Sequence, residues 1–274
     1  VVVTSKTIVD FYKNDSLIMN SIINVFVKHN KNMESLIGKQ YKYGSYKNYK
    51  TTLKHISNYI QKEYNTKDIL LNKIDYDFVY NFSQYLLMKT KCNNNGMMKH
   101  IQRFKKVFNF CIKNKYILHN PLNEFRVSFK RTNRVYLLQS ELKTLHDIKL
   151  SDSLNRIRDV FLFACYTGLS YTDISKLSAQ NIKKGDDGFT WVYITRNKTN
   201  IPSNIPLLPH ALFLMELYAI KSNGKTLFPI ISNQKINKGL KSISLMCNFN
   251  KKLTFHSARH TFATTVTLTN GVPI

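Results

Sequence analysis

The sequence has few acidic residues, and this shortage is its largest departure from an ordinary soluble composition. The 274 residues include 16 Asp and Glu against 41 Lys and Arg, which gives a formal net charge of +25. Such an excess destabilises a fold by self-repulsion unless a polyanion balances it. The composition therefore predicts a nucleic acid as the partner, because phosphate neutralisation with counterion release supplies much of the affinity of nucleic-acid-binding proteins. An unusually basic soluble protein and a protein that rests on anionic membrane are the alternatives.

Long apolar runs are also missing, so we expect no segment that spans a bilayer and no membrane partner. The first residues lack a charged segment followed by an apolar one, and no signal peptide is predicted. Hydrophobic residues still make up 43% of the chain, which is typical of globular domains. The chain begins with Val1 rather than Met, and we therefore expect a fragment or a processed form.

Cysteine is scarce, with four residues at positions 92, 111, 165 and 247. None is close enough to another in the sequence to form a metal-ligand pair, so we predict no metal site. Cys111 and Cys165 fall in apolar helical stretches and are expected to be small core residues. This cysteine usage fits a reducing compartment, and we expect a cytoplasmic protein.

Apolar residues in the first half recur at helical spacing in stripes that begin near Ile22, Tyr46, Phe78 and Met97. Amphipathic helices joined by short links predict a compact helical domain. The expected organisation is a tail over 1–15, a helical DNA-binding domain over 16–122, a basic linker over 123–136 and a second domain over 137–274.

The faces opposite these stripes are basic, with few acids interleaved for local pairing. A charge run on a helix is usually a solvated face, but nearly pure positive charge favours a surface that faces DNA. The linker follows Pro121, which ends the preceding helix, and it either lies along the phosphate backbone or is a plain connection. The candidate DNA-binding residues are Lys47, Lys99, Arg103, Lys106, Lys130, Arg131 and Arg134.

The second half predicts helices with two short strands. Ser140 is a candidate cap for a helix that starts at Glu141, and further helices are predicted over 154–166, 172–177, 210–221, 234–247 and 257–269. Alternating and β-branched residues predict strands over 191–195 and 205–207. The predicted fold class is mainly α with a small β-hairpin in the second domain (α+β).

One segment concentrates side chains suited to chemistry on phosphate. His256 and Arg259 are three residues apart at the start of a predicted helix, so they share a face. Arginine offers a bidentate fork for phosphate oxygens, and histidine can donate to the same phosphate or move a proton. An amphipathic helix with incidental polar residues is the alternative for so short a pattern.

Three ordered segments make the pattern specific. Residues 256–264 read His-Ser-Ala-Arg-His-Thr-Phe-Ala-Thr, which closely resembles the His-x-x-Arg box of tyrosine recombinases. Residues 167–170 read Thr-Gly-Leu-Ser and resemble the Thr-Gly-Leu-Arg segment of that family. Residues 196–199 lie where the family carries a catalytic lysine on a β-hairpin. The resemblance covers nearly the whole chain and implies a core-binding domain followed by a catalytic domain.

The resemblance implies a site-specific recombinase or integrase of a mobile element, which cuts and rejoins duplex DNA through a 3′-phosphotyrosyl intermediate. It implies that His256 and Arg259 stabilise the charge of a pentavalent phosphate and that Lys198 protonates the leaving 5′-oxygen. It also implies a tetramer on two recombining sites, a DNA-bending accessory protein, and neither cofactor nor metal.

The first departure from the family pattern is Ser170, which replaces the leading arginine. Ser170 is expected to cap the next helix, with Asp173 at the third helical position. The missing charge is expected from Arg196, the better candidate because it shares a strand face with Lys198, or from Arg158 on the helix before the box. The alternative is that both arginines form salt bridges or contact DNA outside the site. This pattern resembles integrases of conjugative transposons from Bacteroides-type bacteria.

The second departure concerns the nucleophile. The family places its tyrosine several helical turns after the His-x-x-Arg box, whereas this sequence has no Tyr after Tyr218. We therefore expect a truncated chain that binds DNA without cleaving it. A decayed recombinase or regulator and a type IB topoisomerase are the rival interpretations.

Overall fold

A computed structural model describes residues 20–197, 199–220 and 225–272. The chain divides into two compact units, with the boundary between Arg131 and Thr132. The predicted tail over 1–15 lies outside the described residues. Within the described part of the chain, no helix is both long and apolar enough to cross a bilayer.

The described part of the first unit consists of α1 (Ile22–Ser35), α2 (Tyr43–Tyr64), α3 (Tyr76–Lys89) and α4 (Asn94–Lys113), with a 3₁₀ turn over Leu71–Lys73. Side-chain caps define two of the starts, since Asp75 accepts from the N–H of Phe78 and Asn93 accepts from that of Gly96, both at 2.8 Å. The apolar stripes of these helices meet in one core, whose fully buried members include Phe26, Ile56, Phe82 and Phe104.

The first part of the segment 123–136 is attached to the first unit. Phe125 is buried in its core. The backbone N–H of Lys130 donates to Asn95 Oδ1 at 2.8 Å, and Asn95 Nδ2 donates to the carbonyl of Lys130 at 2.9 Å. These contacts hold the segment against the start of α4.

The described part of the second unit contains α5 (Gln139–Asp147), α6 (Asp152–Thr167), α7 (Tyr171–Ile174), α8 (Pro209–Ala219), α9 (Asn233–Met246) and α10 (Phe255–Thr261). Three strands, β1 (Ile182–Lys184), β2 (Thr190–Thr195) and β3 (Pro202–Pro206), form an antiparallel sheet in the order β1-β2-β3. Trp191 pairs with Lys183 on one side and with Pro206 on the other. The expected fold class, mainly α with a small sheet, is confirmed.

Three local predictions are corrected. Strand β1 was not predicted, because a three-residue edge strand such as Ile-Lys-Lys has too little alternation to detect. Helix α5 begins at Gln139 rather than Glu141, so Ser140 lies inside the helix and does not cap it. The cap position is Leu138, whose N–H donates to the carboxylate of Glu141 at 2.7 Å. The last helix begins two residues earlier than expected and changes to π geometry over Phe262–Thr267.

Helix α6 is the centre of the second core, since nearly all of its C-terminal half is buried and α8, α9 and α10 pack around it. Cys165 on α6 and Cys111 on α4 are both fully buried, which confirms the expectation that they are core residues. The continuous apolar surface of α6 places its C-terminal end, at Thr167 and Gly168, directly beside α10.

Candidate active site and DNA-binding surface

The turn between α6 and α7 is built around a glycine. Gly168 adopts a left-handed φ of +65°, and its N–H donates to the carbonyl of Ala164 at 2.9 Å, which closes the end of α6. A Cβ at this position would lie 2.5 Å from the ring of Phe262. Both the backbone conformation and the packing therefore require glycine, and they bring the Thr-Gly-Leu and His-x-x-Arg segments into contact.

Arg259 is held across this contact. Its Nη1 donates to the carbonyl of Gly168 at 3.0 Å, at the C-terminal end of α6, where helix carbonyls favour a cation. Burial lowers the pKa of the Arg259 guanidinium, the neighbouring Arg196 lowers it further, and Asp173 opposes both effects. The charges of Arg259 and Arg196 are therefore close enough to interact. Among the described residues, neither guanidinium forms a salt bridge with a carboxylate.

A cleft of about 270 Å³ opens beside Arg259. Ser170 lines it from the start of α7, and Asn233 and Asn237 line it from α9. His256 also lines the cleft, and its side chain is exposed and therefore accessible to a bound molecule. The structure thus brings Ser170 beside His256 and Arg259, from which it is far apart in the sequence.

Ser170 caps α7 as expected. Its Oγ accepts from the N–H of Asp173 at 3.3 Å and donates to Asp173 Oδ2 at 2.7 Å, while its own N–H donates to the same oxygen at 3.3 Å. These hydrogen bonds form a capping box, which confirms the predicted capping role of Ser170. Ser170 carries no charge, so it cannot supply the electrostatic contribution of an arginine.

Asp173 has a wider role than the sequence indicated. Asp173 is 9% exposed, and its Oδ1 accepts from the backbone N–H of Asn197 at 3.1 Å. One carboxylate therefore joins the α6–α7 turn to the turn between β2 and β3. The sequence showed only the capping position, because the partner on the hairpin is 24 residues away.

The β2–β3 turn carries two of the predicted site residues. Arg196 begins it, with its N–H donating to the carbonyl of Ile201 at 2.9 Å and its carbonyl accepting from Asn200 N–H at 2.8 Å. Asn200 completes the turn with a left-handed φ of +57°. Lys198, the predicted general acid, lies outside the described residues.

Arg158 is not part of this cleft. Its Nη2 lies 3.0 Å from Asp159 Oδ1, and its Nη1 donates to the carbonyl of Ile148 at 3.1 Å. It lines a different cavity, together with Tyr218. Neither Arg196 nor Arg158 lines the cleft. Arg196 is close enough to Arg259 to lower its pKa, whereas the guanidinium of Arg158 is held by Asp159 and by the carbonyl of Ile148.

His260 and Arg134 extend the basic character of the site. The His260 ring stands edge-on to that of His256, with centroids 4.7 Å apart. Burial lowers the pKa of His260, and the nearby His256, Arg134 and Arg259 lower it further. Arg134, a predicted DNA-binding residue, is exposed in this neighbourhood.

A second basic feature lies within the first unit, where α2 and α4 form a hollow of about 170 Å³. Lys99, Arg103 and Lys106 line it from α4, facing Asn48 and Tyr49 of α2. Burial lowers the pKa of the Arg103 guanidinium, and Tyr49 opposes this effect. Three of the predicted DNA-binding cations thus share one concave surface, which we call the α2–α4 hollow.

The remaining predicted cations of the first unit, Lys47, Lys130 and Arg131, are exposed but do not line the hollow. Lys130 is positioned by its backbone contacts with Asn95. The Lys99 ammonium lies 4.8 Å from the ring centroid of Phe129, the residue before Lys130. This contact connects the segment 123–136 to the hollow.

Family comparisons agree with this architecture. Residues 21–130 match the phage integrase SAM-like domain, and residues 136–274 match the phage integrase family. The second match alone covers more than half of the chain, so the chain belongs to the phage integrase family.

Individual relatives are distant. The chain is 25% identical over 194 residues to a tyrosine recombinase of Pseudothermotoga lettingae, a match that covers 68% of this chain and 65% of that protein. The structure resembles a lambda integrase dimer bound to a COC′ core site, with a TM-score of 0.73 and 17% identity over 89% of this chain and 85% of that one. It also resembles the Tn1549 transposon integrase in complex with circular intermediate DNA, with a TM-score of 0.71 and 13% identity over 92% and 88% of the two chains.

Proposed function

We propose that this chain is the DNA-binding and catalytic part of a site-specific recombinase of a mobile element, which breaks and rejoins duplex DNA through a phosphotyrosyl intermediate. The observation that carries the proposal is the cleft lined by His256, Arg259 and Ser170, with the Asp173 carboxylate joining Ser170 to the turn that begins at Arg196. Two arginines and a histidine suit a pentavalent phosphate, whose added negative charge lies on non-bridging oxygens.

In this proposal Arg196 supplies the charge that Ser170 lacks. Displacement at a phosphodiester builds more charge than one guanidinium offsets, and fixed cations lower that barrier without reorganisation. The Arg259 guanidinium is held by the Gly168 carbonyl, and the backbone of Arg196 is held by the hydrogen bonds of its turn. Lys198, two residues after Arg196 in the sequence, protonates the leaving 5′-oxygen, and the nucleophile of the proposed reaction is a tyrosine.

The proposed partner is duplex DNA. The net charge of +25 supplies long-range attraction, and the α2–α4 hollow supplies a place for backbone phosphates. The fold shared with integrases bound to a core site, and with a lambda integrase tetramer bound to a Holliday junction, supports a multimer on recombining sites. A DNA-bending accessory protein remains a prediction. The relationship to integrases of Bacteroides-type conjugative transposons also remains a prediction.

The test uses a polypeptide that carries the nucleophilic tyrosine, with a suicide DNA substrate that traps the covalent species. Arg259→Ala is expected to slow trapping by on the order of a hundredfold or more, because a charged donor to the phosphate is lost. Arg196→Ala is expected to have a comparable defect. The double variant Arg196→Ala with Ser170→Arg is expected to recover part of the activity, because it returns a guanidinium to the cleft.

Arg156→Ala is the matched control, since Arg156 is exposed on α6 and lines the cavity on the other side of that helix. It should trap DNA at nearly the parent rate. Near-normal trapping by Arg196→Ala would remove Arg196 from the site. A parent protein that binds DNA and never forms the covalent species would support a decayed recombinase or a regulator instead.

A further inference from the structure

Three side chains that favour transition metals converge in the first unit. His55 lies on α2, His100 on α4 and Cys92 in the connection between α3 and α4. One donor atom from each lies within 4.8 Å of the other two. The two imidazole rings meet edge to face, with centroids 4.8 Å apart and planes at 78°. This group is not recognisable from the sequence alone, because a cysteine and two histidines at positions 55, 92 and 100 match no short ligand spacing.

His100 is oriented by a neighbour in the way that metal-binding histidines usually are. The Thr52 hydroxyl donates to the carbonyl of Asn48 at 3.0 Å. Because its proton is committed there, Thr52 Oγ1 accepts from His100 Nδ1, which is 2.8 Å away. The proton of the neutral ring is then on Nδ1, and the lone pair is on Nε2. An outer hydrogen bond of this kind fixes the tautomer and the ring orientation of a ligand before the metal arrives.

Cys92 is also placed by local contacts. Its N–H donates to Thr90 Oγ1 at 3.2 Å, at the end of α3. Its Sγ lies 3.9 Å from the position that a Cβ on Gly96 would take. Gly96 is one helical turn before His100 on α4, so the thiol lies over the helix face that carries the imidazole. Cys92 is half-buried, which leaves it accessible to an ion from solvent.

We propose that His55, Cys92 and His100 bind one Zn²⁺ ion, with water in the fourth position. Two imidazole nitrogens and one thiolate form a donor set that suits a borderline-soft, tetrahedral cation better than Mg²⁺ or Ca²⁺. Tetrahedral coordination brings such donors to about 3.3–3.8 Å from one another, given metal–ligand bonds of about 2.0–2.3 Å. In the proposed complex, rotation of the three side chains brings their donor atoms from within 4.8 Å of one another to this shorter separation. Binding releases the thiol proton to solvent, because the thiolate is the ligand.

The site would act on the DNA-binding surface through the helices. Thr52 and His55 are on α2, one and two turns after Asn48, and His100 lies between Lys99 and Arg103 on α4. Asn48, Lys99 and Arg103 line the α2–α4 hollow. An ion bound to both helices therefore fixes the separation of the two walls of the hollow, and it stabilises the folded first unit by mass action.

The test measures metal binding directly and needs no recombination assay. The chain is freed of metal with a chelator and titrated with Co²⁺ and then Zn²⁺. We expect one Co²⁺ per chain, with visible d–d bands of tetrahedral intensity and a near-ultraviolet thiolate-to-metal band that Zn²⁺ abolishes. Zn²⁺ is also expected to raise the melting temperature of the first unit.

Cys92→Ser and His55→Asn each remove one ligand at a half-buried position, and we expect each to weaken Zn²⁺ binding by about a hundredfold or more. Thr52→Val keeps the buried volume but removes the acceptor that orients His100, and we expect a loss of about tenfold to a hundredfold. Cys247→Ser is the matched control, because Cys247 is a half-buried cysteine of the other unit. Circular dichroism of the metal-free proteins checks that each variant folds.

The proposal is overturned if the parent chain binds no stoichiometric Zn²⁺, if the thiolate band is absent, or if Cys92→Ser binds as tightly as Cys247→Ser. Binding that all variants share equally means adventitious attachment to surface histidines, and it also overturns the site.

Discussion

The two units of this chain are both basic, but they hold their cations in different ways. In the α2–α4 hollow, Lys99 and Lys106 project from one helix into an open surface, and no carboxylate pairs with them among the described residues. In the second unit, Arg259 is bonded to the Gly168 carbonyl, and the turn that begins with Arg196 is attached to Asp173. Each fixed group there depends on a partner from another element.

This difference fits the functions proposed for the two surfaces. Contacts to backbone phosphates add up over many cations, and each ammonium needs only to reach the polyanion. Stabilising a transition state requires donors that are already placed where charge develops, because reorganisation costs the energy that catalysis needs. We therefore expect substitutions in the hollow to change affinity gradually and substitutions in the cleft to change the rate of chemistry sharply.

The largest expected effect is that of Lys198→Ala in a polypeptide that carries the nucleophile. Loss of a general acid typically costs about a hundredfold to ten-thousandfold in rate, because the leaving 5′-oxygen departs as an unprotonated alkoxide. A substrate with a 5′-phosphorothiolate leaving group should recover much of that loss, because sulfur leaves without needing a proton. Cleavage rates on the two substrates measure the effect. Equal defects on both would argue against Lys198 as the acid.

A smaller effect is expected for Asp173→Asn, which tests whether the cleft depends on its supporting contacts. Asp173 is a positioning residue, since its carboxylate accepts from Ser170 and from the N–H of Asn197, next to Lys198. An amide keeps one acceptor oxygen but replaces the other by a donor. We expect cleavage to slow by about tenfold to a hundredfold, as for the outer contacts of other sites.

The phosphorothiolate substrate separates positioning from general destabilisation. If Asp173 acts by placing the turn that carries Lys198, the defect of Asp173→Asn should shrink on the sulfur leaving group, as that of Lys198→Ala does. DNA affinity should stay near that of the parent. A defect of the same size on both substrates, or a parallel loss of DNA binding, would show that the carboxylate only holds the fold together.

Much of this fold is predictable from the sequence because its helices carry strong periodic signals. The stripes near Ile22, Tyr46, Phe78 and Met97 correspond to the four helices of the first unit. Gly168 marks the end of α6, and Ser170 marks the start of α7. Each of these signals acts within a few residues of its own position, so local chemistry is sufficient to detect it.

The contacts that build the sites are less predictable, because they join residues distant in sequence. The approach of Arg196 to Arg259 and the bond from Asn197 to Asp173 depend on how the hairpin lies against α7 and α10. Arg158 was the second candidate by sequence after Arg196, and its guanidinium is held by the adjacent Asp159. The group of His55, Cys92 and His100 was missed for the same reason, since only the packing of α2 on α4 brings it together.

The smallest expected effect is that of Arg103→Ala on DNA binding by the chain itself. Arg103 lines the α2–α4 hollow, where its partly buried guanidinium can neutralise one phosphate. Removing one phosphate contact should lower the slope of log K against log salt by about 0.9, and it should weaken binding to a similar extent for every DNA sequence. Titrations at several salt concentrations give both quantities for the parent and the variant.

Lys67→Ala is the control for this measurement, because Lys67 is exposed beyond the C-terminal end of α2, far along that helix from the Ser45–Tyr49 end that lines the hollow. It removes the same charge without removing a predicted phosphate contact, so its effect should be limited to a small, screened loss of long-range attraction. If the two variants have the same slope, the hollow holds no phosphate and the net charge alone accounts for the affinity. If the slope falls only for Arg103→Ala, the hollow is a phosphate site, and the contrast between an additive binding surface and a fixed catalytic cleft stands.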